Sequence, residues 1–202
     1  LNVFLSLYLY QSSLILFMKK IISLLVLVLL INSCSSKKSV LSTVDVKKYI
    51  NSITSEELKT HLTIVASDEM EGRETGSPGQ KKAGRYLISQ YEKNGVSFPK
   101  GAKDYYQPIP AAYLNKEYNE NLPDSENIWA FIEGSEHPEE VIVVSAHYDH
   151  IGINKGEIYN GADDDGSGTV GLLEIAQAFQ MAKNEGRGAK RSILILHVTG
   201  EE

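Results

Sequence analysis

The chain has 202 residues, 42% of them apolar, with 16 Gly and 6 Pro, so it can bury one substantial core and is neither fibrous nor broadly disordered in composition. Its formal charge of −6 is unevenly spread: the first 48 residues hold six Lys and one acid, Asp45, while the rest carries 14 bases against 25 acids. So acidic a body lacks the basic footprint of a nucleic-acid binder, and that class is excluded.

At the front, residues 1–17, "LNVFLSLYLYQSSLILF", are apolar and uncharged and precede Met18, which opens a complete export signal by itself. Lys19 and Lys20 are followed by an apolar run from Ile21 to Ile31, too short to span a bilayer comfortably, and then by small and polar residues before Cys34. Residues 1–17 therefore read as an upstream extension introduced by gene calling, and 18–33 as a signal peptide. The residues "INSC" resemble a bacterial lipobox. Cys34 is the only cysteine, with no disulfide partner in the chain, which suits a lipid-bearing anchor. The expectation is an exported lipoprotein of the cell envelope, held to the membrane on the periplasmic side or at the cell surface. Residues 34–48, rich in Ser and Lys, are expected to form a flexible tether. The folded part is then 49–202.

In "ITSEELKTHLTIVAS", Thr54 and Glu57 have capping-box spacing, Ile53 and Leu58 form a hydrophobic staple, and Leu58, Leu62 and Val65 share one face, which predicts a helix. "GSPGQKKAGRYLISQYEKNG" repeats the logic: Ser77 as N-cap, Pro78 at the first position, Gln80 at the capping-box position, Ala83, Tyr86, Leu87 and Tyr91 inward, and Gly95 at the stop. "NIWAFIEG" alternates like a strand with one wet face, at or near a sheet edge. "VIVVSAHYD" and "SILILHV" are continuous and β-branched, as strands buried on both faces are. Between these two lies "GTVGLLEIAQAFQMAKNEG", a helix with Leu172, Leu173, Ile175, Ala176 and Phe179 inward, ended by Gly186. Strand, helix and strand make a βαβ unit with its strands parallel, so both carboxyl ends lie on the edge where open α/β sheets bind ligands. The fold class is α/β, a mostly parallel central sheet flanked by helices.

That edge collects His147 and Asp149 from "SAHYDH", Asp163, Asp164 and Asp165 from "YNGADDDGSG", and Glu201 and Glu202 from "TGEE". Adjacent carboxylates in a partly dry site repel one another unless a cation sits among them. Asp165 or Ser167 could simply cap the helix while the other acids face water. A calcium loop fails on spacing, because Gly166 in the invariant glycine place would put Gly161 and Leu172 in the first and last ligand positions. HxD or DDDG alone is weak; both at one edge, with an acidic pair after the next strand, favour a divalent metal.

"SAHYDHIG", "YNGADDDGSG" and the strand-terminal "GEE" resemble, in order, the metal motifs of the M28 zinc aminopeptidases, and "EGRETGSPGQKKAGRYL" resembles that family's amino-terminal segment. The likeness runs over about residues 50–202. It implies a zinc-exopeptidase fold of the phosphorylase/hydrolase-like kind and two zinc ions. It further implies that His147 binds one zinc, Asp164 bridges both, Glu202 binds the other, Glu201 is the general base and Asp149 orients His147. A cis peptide between Asp164 and Asp165 is also implied. The family's remaining Asp and His ligands fall later than Glu202, so the sequence is expected to be the amino-terminal portion of such a domain. The implied activity is removal of amino-terminal residues from peptides; the alternatives are a single-zinc glutaminyl cyclase-like acyltransferase of the same fold, or a catalytically incomplete binding module. Of the other histidines, His61 is assigned to a helix surface, His137 to a loop and His197 to packing within a strand, while His150 lies nearer the site and its role stays open.

Overall fold

The computed structural model describes residues 43–118 and 121–202. The expectations for residues 1–17, for the signal peptide at 18–33 and for Cys34 lie outside the described residues. Residues 43–48, expected as tether, belong to helix α1 (Thr43–Ile50), whose Lys48 and Tyr49 side chains both reach Glu185. That stretch is therefore helical and attached to the body.

Helix α2 (Ser55–Val65) begins where predicted, with the Thr54 hydroxyl accepting from the Glu57 backbone N–H at 3.2 Å. A 3₁₀ segment, Asp68–Arg73, leads to α3 (Pro78–Asn94), in which Ser77 Oγ accepts from the Gln80 N–H and Gly95, at φ 70°, closes the helix. Gln80 does not turn back to Ser77 as in a capping box. Its buried amide oxygen accepts from the Gly76 N–H (2.6 Å) and the Ser125 hydroxyl (2.8 Å), and its nitrogen donates to Thr199 Oγ1 (2.5 Å), tying α3 to two strands.

The remaining elements are β1 (Tyr106–Ile109), α4 (Ala111–Tyr118), β2 (Ser125–Ile132), β3 (His137–His147), a small hairpin of β4 (Gly152–Asn154) and β5 (Glu157–Tyr159), a π-type turn at Ala162–Gly166, α5 (Ser167–Asn184) and β6 (Arg191–Val198). The main sheet runs β1-β2-β6-β3. β3 and β6 are parallel across the α5 crossover, as the βαβ reading requires, with His147 opposite Val198. β2 pairs antiparallel with both β6 and β1. The class is α/β with helices against the sheet, but the sheet is mixed, with β3 and β6 its one parallel pair among the described residues.

Leu87 and Tyr91 of α3, Ile128 and Ile132 of β2, Leu172, Leu173 and Ala176 of α5, and Ile193 and Ile195 of β6 form the core. Removing each of the larger aliphatic side chains from water contributes roughly 1.5–3 kcal/mol, which holds the crossover against the sheet. β2, expected at or near a sheet edge, lies next to the edge strand β1, between it and β6. Two expectations change. β3 is an edge strand whose Val141, Ile142 and Val143 stay exposed, since continuous hydrophobicity says what a strand can bury and not what covers it. Phe179 is 39% exposed and not inward.

Candidate metal centre

The parallel register of β3 and β6 brings their carboxyl ends side by side, so the residues after them share one edge. His147, the last residue of β3, directs Nε2 to within 3.0 Å of Asp164 Oδ1 and 3.8 Å of Glu201 Oε2. Its Nδ1 lies 3.1 Å from the Asp149 backbone carbonyl and 3.7 Å from Asp149 Oδ1. Burial pulls the imidazole towards its neutral form, but Asp149, Asp164 and Glu201 outweigh it and hold the His147 pKa above the ordinary histidine value. The pocket around this ring favours positive charge.

Asp149 is fully buried. Its Oδ2 accepts from the Thr75 hydroxyl (2.6 Å) and from the backbone N–H groups of Gly200 (2.9 Å) and Glu201 (3.1 Å), so it fixes the turn that carries the two glutamates. Its Oδ1 has no hydrogen-bond partner and faces His147. The expected orientation of His147 thus comes from the Asp149 carbonyl, with the carboxylate close behind, because Oδ2 is committed to the β6 turn.

The three consecutive aspartates divide their roles. Asp165 Oδ1 accepts from the Gly168 N–H (3.0 Å), capping the first turn of α5, while its Oδ2 accepts from the His147 N–H (3.3 Å). Asp164 reaches His147 with a side chain that is 70% exposed. The Asp164–Asp165 peptide is cis, as the resemblance implied. Gly161, at φ 49°, sits where a Cβ would meet the His150 ring at 2.5 Å, so this turn can close on the site only with glycine there.

Two of the three donor sets among the described residues that could hold a metal ion lie at this edge: His147 with Glu201 and Glu202, and His150 with Asp164 and Glu202, each with one ligand atom per residue lying within 4.8 Å of the others. Imidazole nitrogen and carboxylate oxygen are donors zinc accepts, and Glu202 belongs to both sets. All five sequence-derived residues, His147, Asp149, Asp164, Glu201 and Glu202, meet at this edge. Reading by sequence missed His150, which is buried with Nδ1 2.7 Å from Glu202 Oε1; its place three residues after His147 in "HYDH" was the available signal. It also missed Thr75 of "GRETG". A cavity of about 190 Å³ opens beside Glu202, lined by Glu74, Thr75, Leu122, His150, Ile151 and Glu202. His61 is not a surface residue as expected: it is half-buried, with Nδ1 2.6 Å from the Tyr86 hydroxyl. His137 is the exposed first residue of β3, and His197 is buried in β6, sharing a 2.5 Å hydrogen bond with the Tyr91 hydroxyl.

An α/β sheet whose parallel strand ends gather His and carboxylate donors is an arrangement that can hold a divalent metal ion. Residues 127–202 match the model of peptidase family M28. Among solved structures it is similar to a glutaminyl cyclase of Porphyromonas gingivalis (21% identity, 73% of this chain and 45% of that one, TM-score 0.52). It is also similar to a leucine aminopeptidase precursor from Bacteroides thetaiotaomicron (19% identity, 72% and 46%, TM-score 0.53) and to a Zn-dependent exopeptidase from Parabacteroides distasonis (21%, 71% and 46%, TM-score 0.51). At these identities the likeness is one of fold. The chain spans a little under half the length of these structures. No curated protein matches it.

Proposed function

We propose that the full-length protein is a zinc-dependent aminopeptidase that hydrolyses amino-terminal residues from peptides, exported and held to a membrane through lipid on Cys34. The observation that carries the catalytic part is the 3.0 Å approach of His147 Nε2 to Asp164 Oδ1 at the strand edge that also bears Glu201 and Glu202. Both donor sets at this edge have the imidazole and carboxylate donors that zinc accepts, and two zinc ions are proposed on the resemblance of "YNGADDDGSG" to the two-zinc motif. His147, Asp164 and Glu202 would hold the metal. Zinc bound there supplies Lewis acidity towards the scissile carbonyl and the attacking water.

The chain's own residues do the rest. Glu201, its side chain 59% exposed at the mouth of the site, takes a proton from water as the water oxygen attacks the carbonyl carbon, and returns it to the amine nitrogen as the C–N bond breaks. Asp149 keeps the Glu201 backbone and the His147 ring in place through the contacts described above. The remaining acid of the neighbouring cavity, Glu74, suits a substrate's free amino group.

The test separates ligand from base. Glu202→Ala should lower zinc content measured by elemental analysis. Glu201→Gln, nearly isosteric, should keep its zinc yet lose about 10²–10⁴ in turnover of an aminoacyl anilide. Loss of zinc in Glu201→Gln, or near-wild-type turnover with zinc bound, overturns the assignment. The cyclase reading, prompted by the P. gingivalis structure, predicts instead one zinc per chain and ring closure of amino-terminal glutamine.

A further inference from the structure

The geometry points to Arg73 as a positioning residue for the metal centre, holding together the two loops that carry His147 and Asp164; the inference rests on the zinc reading above. Arg73 has no solvent exposure, and its guanidinium hydrogen-bonds only to backbone carbonyls among the described contacts. Nε donates to Tyr148 O at 2.8 Å, Nη1 to Val65 O and Asn160 O at 2.8 Å each, and Nη2 to Gly161 O at 2.9 Å. The His150 N–H donates in return to the Arg73 carbonyl at 3.1 Å.

These four acceptors are not scattered. Tyr148 lies between His147 and Asp149. Asn160 and Gly161 lead directly into the turn that carries Asp163, Asp164 and Asp165. Val65 is the last residue of α2. One planar group thus spans the loop after β3 and the loop before α5, and fastens both to a helix of the body. The separation of those two loops decides whether His147 Nε2 and Asp164 Oδ1 stay close enough to share an ion. Gly72 tightens the same joint: at φ 66°, a Cβ there would meet Gly152 O at 2.4 Å and Tyr159 O at 2.6 Å, so the chain before Arg73 lies directly against the hairpin that links the two loops.

A buried cation persists only if its donors are used, and a rigid fork is what reaches four carbonyls at once. Lysine keeps the charge but presents an ammonium point, which cannot serve all four. Disturbing groups that orient metal ligands typically weakens metal binding by about 10–100-fold, and that is the effect expected here.

The test uses the full-length protein and zinc itself. Zinc affinity is measured by competition with a chelator, well below the melting temperature, for wild type, Arg73→Lys and Arg73→Met, and visible spectra are recorded after cobalt substitution. The expected result is folded variants with zinc binding about 10–100-fold weaker and altered cobalt bands, Arg73→Met being the more affected. A merely structural role would lower the melting temperature of the zinc-free protein yet leave the affinity and the cobalt spectrum of the folded fraction unchanged. Folded Arg73→Lys and Arg73→Met with wild-type affinity and spectrum overturn the positioning role alone, as does failure of both variants to fold. Wild type that binds no zinc overturns the zinc reading and this inference with it.

Discussion

Asp149 and His197 show how differently two buried titratable residues can serve one fold. Asp149 has one oxygen engaged by Thr75, Gly200 and Glu201 and the other turned to His147, so Asp149→Ala removes the anchor of the glutamate turn and the carboxylate behind the imidazole together. Zinc affinity is expected to fall about 10–100-fold, read by chelator competition. His197 lies on the interior side of β6, and burial lowers its pKa from 6.5 to about 3. The folded state therefore refuses a proton that the unfolded chain accepts below about pH 6.5. The stability tied to this group is intact above that pH and is lost as pH falls towards about 3. Between pH 7 and pH 5 the loss is about 2 kcal/mol. Urea midpoints of chelator-treated protein at pH 7, 6 and 5 should show it, and His197→Leu should flatten that part of the slope; an unchanged slope refutes the account.

At the level of elements, the N-caps Thr54 and Ser77 that the sequence advertises are the ones the chain uses. Ser77 accepts from the Gln80 N–H at the start of α3, and Ser77→Ala should cost about 1 kcal/mol of unfolding free energy with zinc binding unchanged. Gly72→Ala is a different kind of lesion. It places a side chain at positive φ against two backbone carbonyls of the β4–β5 hairpin, which cannot swing away as a side chain would. A loss of more than about 1 kcal/mol is expected, measured by urea denaturation. The contrast lies in what each residue faces: the Ser77 cap is answered within its own helix, whereas Gly72 is constrained by segments about 80 residues away in sequence.

For the whole molecule, the described body carries its site at one end of an open sheet, and no helix among the described residues is long and apolar enough to cross a membrane. We propose that the protein is held to a membrane through lipid on Cys34, in "INSC" after the apolar run. Fractionation of cells producing Cys34→Ala should find the protein shifted from the membrane to the soluble fraction. Equal sedimentation of variant and wild type refutes the anchor.

Local chemistry by itself determined the helix starts at Thr54 and Ser77, the stop at Gly95, the βαβ unit and the edge at which His147, Asp149, the three aspartates and the two glutamates gather, while the choice of five among these came from the resemblance to the M28 zinc aminopeptidases. Capping, periodicity and strand polarity act within a few residues, and a parallel crossover necessarily puts both strand ends on one edge. Only the tertiary structure decided the rest. Among the described residues β3 became an edge because burial depends on which strands pair, a property of segments far apart in sequence. The acids of "DDDG" took separate tasks because Asp165 is held by the first turn of α5 and by the His147 N–H, leaving Asp164 to reach the imidazole. Arg73 gave no sign in isolation and His150 only its nearness to His147, since a buried guanidinium or imidazole is defined by the carbonyls and carboxylates that surround it, and those arrive from four different segments of the chain.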